Sequence, residues 1–470
     1  MLLSPKIIVF DDDPTGSQTL WGCPLLLRWD AETLAWGLAQ PSPFLFLITN
    51  SRALDPTAAT ERLRQICGAL KPALAAAQAA GSIDRWWLVS RGDSTLRGHF
   101  PLEVDVINAE LGPFDATFLA PAFLPGGRTT VAGQHLLHGR PVHESAFASD
   151  GLFGYSTSYL PAWVEQKTAG RIGADQVERL DLAALELGGE PLRQRLAGFQ
   201  GNCCVAVDAE RPQQLAALGA AVRELTAPAA AERWGRPRRF LFQAAASLLN
   251  GLAPLPPQPL AGAGLVGLRR SGAQGLLPGL VLVGSHVPLA DAQLETLLAD
   301  PGCVGVELPV AKVHRLLEGP LPDLLLPSLE AAWLEQLTAV LASGRTPVLH
   351  TSRGELVCRH AAERRALGQA LAATMARLAA ALAPQLGYLI SKGGITSHVL
   401  LAEGLQLAAV ELQGQVLPGL SLVLTPAGSA GAGAESGAEP LPILTFPGNL
   451  GQADTLHLAW QWMEGQLSPR

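Results

Sequence analysis

The chain has 470 residues, 48% hydrophobic and 16% charged, and its 34 Lys+Arg against 41 Asp+Glu give a formal net charge of −7. That much apolar residue excludes an intrinsically disordered chain, and the mildly acidic balance excludes broad phosphate-backbone binding, so no nucleic-acid partner is expected. Six cysteines with no Cys-x-x-Cys pair point to a reducing compartment. The acidic run at 11–13 interrupts any signal-peptide pattern. The uncharged run at 240–268 is broken by a Pro-rich stretch at 254–259, so no membrane partner is expected and the chain is read as cytoplasmic.

Taken in chain order, short apolar β-type runs alternate with Ala/Leu/Arg segments of helical period, the pattern of α/β layers. Strands are predicted at 7–10, 44–48, 86–89, 116–119, 205–207 and 240–242, with helices at 56–69 and 213–225. A Pro/Gly-rich stretch at 251–275 reads as a linker. Beyond it the alternation restarts with strands at 280–283, 348–350 and 387–390 and a long helix over 361–382. A Gly/Ala/Ser loop covers 427–440. The predicted fold is α/β: two α/β domains with mainly parallel sheets and the active site in the cleft between them. The division is 1–255, a linker at 256–275, and 276–470.

Three groups of residues carry chemistry. The first strand runs into Asp11, Asp12, Asp13, Pro14, Thr15 and Gly16. Consecutive carboxylates at a strand end repel one another unless a cation or a proton offsets them, and open α/β sheets place ligands at this edge. Such a cluster can bind metal, act as a general base or attack as a nucleophile; one Asp would suffice for a helix cap. Asp11-x-Asp13-x-Thr15 is also how an aspartyl-phosphate phosphatase of the haloacid dehalogenase type begins, with Asp11 as nucleophile, although no Asp-Asp pair recurs after Asp13.

The second group is Ser90-Arg91-Gly92-Asp93-Ser94-Thr95-Leu96-Arg97-Gly98-His99, after another apolar strand. It offers carboxylate, hydroxyl and guanidinium groups in one loop, a mixture that suits a polyhydroxylated anion. Arg52, after the strand at 44–48, and Arg128, after Gly126-Gly127, extend the theme; Arg52, Arg97 and Arg128 converging on one pocket would suit a small acid. His135, His138 and His143 with Glu144 match no recognised zinc spacing.

The third group follows the strand at 387–390: Ser391, Lys392, Gly393, Gly394, Ile395, Thr396 and Ser397 lead into a helical pattern. A strand, a glycine turn and a helix start can bind an anion through backbone N–H groups, and Lys392 and Thr396 could add contacts to nucleotide phosphates. This is not a Walker A loop. Gly284-Ser285-His286 and Pro447-Gly448-Asn449-Leu450-Gly451 follow two further strands and complete a nucleotide cradle.

In these motifs the chain resembles the four-carbon acid sugar kinase family, formerly a family of unknown function. The resemblance rests on Asp12-Asp13-Pro14-Thr15-Gly16, the run from Asp93 to Gly98, Gly127-Arg128-Thr129, Gly284-Ser285, Gly393 to Thr396 and Gly448 to Gly451, in family order from residue 7 to about 456. It implies an N-terminal domain for the sugar acid and a C-terminal domain for ATP, with phosphorylation of threonate, erythronate or a 3-oxo-tetronate. Asp12, Asp13, Asp93, Ser94 and Arg97 would face the acid. Ser285, Gly393, Gly394, Ile395, Thr396 and Gly448 would bind ATP. Three departures stand out: Ile395 where the family often has Asp or Glu, Ala290 for a Thr, and Phe446-Pro447 for Lys-Ser; Lys392 is the candidate for restoring the missing positive charge.

The expected mechanism is direct phosphoryl transfer with Mg2+ bridging the phosphates. Asp13 or Asp12 would orient the acceptor hydroxyl and take its proton. Arg97, with Arg52 or Arg128, would hold the substrate carboxylate. Metal ligands are not assigned and homo-oligomerisation is left open. The rival functions are the Asp11 phosphatase and a catalytically silent sugar-acid-binding protein.

Overall fold

The computed structural model describes residues 5–17, 19–260, 262–273, 275–285, 287–319, 322–354, 356, 358, 360–427 and 439–466. The chain forms two compact units, 1–257 and 258–470. The central-sheet strands are numbered here in chain order. In the first unit they are β1 (Lys6–Asp11), β2 (Cys23–Leu26), β3 (Phe44–Ile48), β4 (Trp86–Arg91), β5 (Ala116–Ala120), β6 (Glu178–Leu180), β7 (Cys203–Val207) and β8 (Phe240–Ala244). They lie in the order β2-β3-β1-β4-β8-β5-β7-β6, every pair parallel.

Strands buried on both faces carry unbroken apolar runs, and β1, β3 and β5 are buried from end to end. Parallel pairing sends every strand's carboxyl end to one edge. The register then aligns the exits: Ile48 pairs with Asp11, Asp11 with Arg91, Arg91 with Ala244, and Ala244 with Ala120. The chain reverses its direction of winding between β1 and β4, the position at which open α/β sheets leave a crevice. The helix Pro56–Ala79 starts on a capping Asp55 that accepts from the Thr57 and Ala58 N–H groups, with Pro56 at its first position.

The second unit contains β9 (Gly279–Val283), β10 (Cys303–Leu308), β11 (Thr346–Thr351), β12 (Tyr388–Lys392), β13 (Ala409–Leu417), β14 (Leu420–Leu424) and β15 (Pro442–Phe446). Their order is β10-β11-β9-β12-β15-β14-β13, parallel as far as β15 and antiparallel through β14 and β13. His350, Val283, Lys392 and Phe446 stand in one line across the sheet, so their following loops also leave from one edge.

The expected linker is not a spacer. From residue 258 the chain belongs to the second unit: Leu265 is buried in its core with Leu260, Val266 and Leu268 packed beside it, and the Arg270 guanidinium donates to the Pro440 and Ala383 carbonyls. Apolar side chains seeking cover override the Pro/Gly composition. The run at 240–268 is a strand, then the helix Ala246–Leu252, then the short helix Gly262–Val266. Among the described residues, one helix, Glu363–Gln385, is long and apolar enough to cross a membrane, and just over half of its most apolar stretch is buried within the protein. All six cysteines are free. The loop expected at 427–440 falls mostly on residues 428–438, and His286 likewise lies outside the described residues.

Candidate active site

In the first unit, the β1, β3 and β4 exits bring five carboxylates and three arginines together. Arg91 at the end of β4 stands 3.5 Å from Asp11 and 3.7 Å from Asp12. Arg52 follows β3 on the short turn Ser51–Ala53. It pairs with Asp13 and approaches Asp12 at 3.7 Å and Asp93 at 3.9 Å. Arg97 donates through Nε to Asp93 at 2.7 Å. Glu103, buried in the first turn of the helix Leu102–Leu111, accepts from the Ser51 and Ser90 hydroxyls, where the helix N-terminus also favours a negative charge.

The three consecutive aspartates have different environments. Asp11 is fully buried and Asp12 almost so. Burial, opposed by Arg91, pushes the Asp11 carboxyl up to about 7. Burial also drives Asp12 well above its ordinary range, against the charges of Arg52 and Arg91. Asp13 is more open. Burial would raise it too, but Arg52 and the Thr15 N–H and O–H, both at 2.8 Å, hold it below the usual value. Asp93 is likewise held down against burial by Arg97 and Arg52. Asp11 Oδ2 and Asp12 Oδ1 are buried without a hydrogen-bond partner.

A recess beside this cluster is lined by Asp12, Asp93, Arg97, Phe100, Trp163 and Gln243. Arg128 reaches the same neighbourhood: the charges of Asp93 and Arg97 bear on its guanidinium, which burial lowers. It spends one donor on the Gly126 carbonyl at 2.8 Å, and its buried Nε has no partner. Arg128, engaged by one carbonyl, and Arg97, paired with Asp93 and 3.7 Å from Asp150, keep more of their donors for an incoming carboxylate. Arg52 does not: three carboxylates surround it and hold its charge, which corrects the expectation that it would grip the substrate. Ser94 is buried, and its carbonyl accepts from His135. Asp11 is equally unsuited to nucleophilic attack, because a Cβ on Gly16 would stand 2.3 Å from its Oδ1.

In the second unit, the loops after β9, β12 and β15 meet. A Cβ on Gly284 would lie 2.1 Å from Thr396 Oγ1, and one on Gly448 would lie 2.7 Å from Ser285 Oγ. Gly393 has φ +119 and donates its N–H to the Phe446 carbonyl at 2.9 Å. Only glycine allows these hydroxyls to approach the loop backbone so closely, leaving Ser285, Gly393, Thr396 and Gly448 around one cradle. Gly394 opens the helix Gly394–Val399. This cradle of hydroxyls and tight glycine backbone fits a nucleotide's phosphates.

One of the predicted nucleotide contacts is placed otherwise. Lys392 is 0% exposed, and its Nζ donates to the Pro447 and Gly448 carbonyls at 3.1 and 3.3 Å. It stands 3.9 Å over the Phe446 ring. It holds the last glycine loop in place and presents no free ammonium to the cradle. Ile395 is 44% exposed and contributes no polar side chain.

Three functional residues had no role in the sequence reading. Arg91 offsets the charge of the acidic cluster, and Glu103 ties the β3 and β4 exits together through Ser51 and Ser90. Arg353 anchors the loop after β9 through the Ser285 carbonyl at 2.9 Å, and also grips Thr351 and Asp291. Arg91 lies within the quoted loop motif, and its pairing with Asp11 depends on strand register. The histidines do not converge: His135 contacts Ser94 and Thr130, whereas His143 contacts Ser158. Elsewhere, among the described residues, His314, Glu318 and Glu363 form a cluster of metal-ligand type, but its two ring nitrogens face different carboxylates.

Comparison with known proteins covers both units. Residues 7–252 match the family model of a sugar-binding N-terminal domain, and residues 280–456 that of a nucleotide-binding C-terminal domain. The chain is 28% identical over 390 residues to the D-threonate kinase of Cupriavidus necator, covering 81% of each. It is also 28% identical over 156 residues to the D-erythronate kinase of Heliobacterium modesticaldum, 31% of this chain and 32% of that one. A Salmonella typhimurium LT2 crystal structure shares the fold at TM-score 0.63 and 18% identity, covering 97% of this chain and 98% of that one. A Haemophilus influenzae structure of the DUF1537 family does so at TM-score 0.56 and 17%, covering 97% and 99%.

Proposed function

Because the chain belongs to the four-carbon acid sugar kinase family, we propose that it is an ATP-dependent kinase of a four-carbon sugar acid, of the threonate, erythronate or 3-oxo-tetronate type. The observation that carries this reading is the 390-residue relation to a D-threonate kinase. It is longer than either compact unit, so it runs through both. The fully enclosed Asp11 argues against the phosphatase.

Arg97 and Arg128 take the substrate carboxylate. Asp93 is kept ionised by Arg97 and Arg52 and accepts from a substrate hydroxyl. Asp12 lines the recess with a proton affinity raised by burial above the ordinary carboxylate range, which suits a group taking the proton of the acceptor hydroxyl. Asp13, clamped by Arg52 and Thr15, holds Arg52 where its charge opposes the effect of burial on Asp12. Ser285, Gly393, Gly394, Thr396 and Gly448 hold the phosphates of ATP. Mg2+ bound with ATP would supply charge neutralisation. Lys392 and Arg353 serve the cradle by fixing its loops.

The test is ADP formation from Mg·ATP against D- and L-threonate, D- and L-erythronate and 3-oxo-tetronates. Turnover with one of them supports the reading and names the substrate. ATP binding without turnover on any acid would favour a silent sugar-acid-binding protein. Phosphate release from a generic ester without ATP would overturn the kinase.

A further inference from the structure

The 93–97 loop, on which the proposed substrate contacts stand, has a backbone that its own sequence does not favour. Leu96 has φ +65 and Gly98 φ +127. A left-handed glycine is ordinary, but a left-handed leucine persists only where its surroundings hold it. Its own turn contributes the Leu96 N–H to the Asp93 carbonyl at 3.0 Å and the Thr95 N–H to Asp93 Oδ1 at 3.2 Å. The remaining restraint comes from the segment that follows β5.

That segment forms a small antiparallel sheet, Arg128–Val131, Gln134–Leu137 and Arg140–Pro141, then short turns and the helix Leu160–Lys167. It places two buried donors on consecutive loop carbonyls. His135 Nε2 lies 2.8 Å from the Ser94 carbonyl, and the Tyr155 hydroxyl donates to the Thr95 carbonyl at 2.6 Å. A carbonyl only accepts, so His135 Nε2 carries the hydrogen. His135 is fully buried, and burial lowers it to about 4, so at neutral pH its Nδ1 accepts the Thr130 hydroxyl at 2.9 Å. The same segment stacks Phe147 under Arg97, with the guanidinium carbon 4.9 Å from the ring, and packs Leu96 into a core with Val142, Tyr155 and Trp163.

We propose that His135 and Tyr155 are positioning residues for the sugar-acid site: by pinning the Ser94 and Thr95 carbonyls they impose the left-handed Leu96 that aims Asp93 and Arg97 together at the recess. This rests on the kinase reading, in which Asp93 and Arg97 face the acid. His135 and Tyr155 touch the loop backbone, not the substrate, and hold no proton that the reaction needs.

The test compares Tyr155→Phe, which removes one oxygen, with His135→Leu and His135→Gln. Gln can return an N–H to Ser94 and an acceptor to Thr130. Expected are a tenfold or greater fall in kcat/KM for the sugar acid in His135→Leu and a smaller fall in Tyr155→Phe. The ATP KM should stay within twofold, the pH limbs should not move, and His135→Gln should recover most of the loss. Sugar-acid parameters within twofold of wild type in both His135→Leu and Tyr155→Phe would overturn the proposal, as would equal losses toward ATP. If His135→Leu fails to fold, Tyr155→Phe decides alone. A wild type without kinase activity defeats the functional reading instead. Amide exchange at Thr95 and Leu96 then tests the pinning itself, with faster exchange expected in Tyr155→Phe and unchanged exchange overturning it.

Discussion

Asp11→Asn separates a carboxylate that serves the fold from one that reacts. Asp11 is 0% exposed and its Oδ2 has no hydrogen-bond partner. Its affinity for protons rises from the ordinary 3.8 to about 7, chiefly through burial and in spite of Arg91. A carboxyl raised in the folded state makes that state bind more protons than the unfolded chain between about pH 4 and 7. Stability therefore falls as pH climbs through that window. Above it, keeping Asp11 ionised costs the folded state about 4 kcal/mol. Asparagine mimics the protonated form and still offers an oxygen to the Asp13 N–H, which Asp11 Oδ1 accepts at 3.2 Å. Asp11→Asn should thus be more stable than wild type by up to about 4 kcal/mol at pH 8, and by under about 2 kcal/mol at pH 5. The assay is urea unfolding of both proteins at both pH values, followed by circular dichroism, with ADP formation measured alongside. A variant less stable at pH 8 would refute the burial argument. A variant that folds but loses all activity would refute the structural role given to Asp11.

Three further outcomes follow from the same geometry. Arg128→Gln should raise the sugar-acid KM about 10–100-fold, the range expected for hydrogen bonds to a charged group, with the ATP KM unchanged in steady-state kinetics. Gly448→Ala puts a Cβ 2.7 Å from Ser285 Oγ, so calorimetry should show ATP binding weakened by about tenfold or more while the acid binds as before. Burial lowers Lys392 to about 7, so the unfolded chain keeps that proton longer and wild-type stability gains as pH rises from about 7 to 10.5. Lys392→Met should lose that slope in denaturation measured across the window, and should raise the ATP KM because the Pro447 and Gly448 carbonyls lose their donor.

The parallel core was legible because its strands are buried on both faces and must be apolar throughout. The runs at 44–48 and 116–119 admit no other reading once turn residues bound them. Leu420–Leu424 escaped although it is apolar and almost wholly buried; most of the other elements that escaped lack that signature. Glu178–Leu180 is a charged edge strand, and Cys23–Leu26 is four residues long. Ala409–Leu417 alternates buried with partly exposed positions after its first two residues and carries Gly414. The glycine cradle was visible as three Gly-containing strand exits, because close backbone approach leaves a mark on composition. The partners of the acidic cluster left none. Arg91 meets Asp11 only through the β1–β4 register, and Glu103 meets Ser51 and Ser90 only when a helix packs across two strands.

The run Asp11-Asp12-Asp13 illustrates why composition names a site without assigning its roles. As sequence, the three carboxylates are equivalent. The last position of β1 places Asp11 beneath Gly16, against Arg91 and out of reach. One residue on, Asp12 reaches the recess, still buried, with one oxygen unbonded. One further, Asp13 turns outward onto Arg52 and closes the Thr15 turn. Burial raises the first two and hydrogen bonds with a paired cation lower the third. Of the three, Asp12 alone combines access to the recess with a raised affinity for protons, and on that combination it is proposed as the proton acceptor, with Asp11 and Asp13 in structural roles. Asp12→Asn should therefore abolish turnover while Asp11→Asn spares it, a contrast between adjacent residues of one type that no global loss of fold could produce.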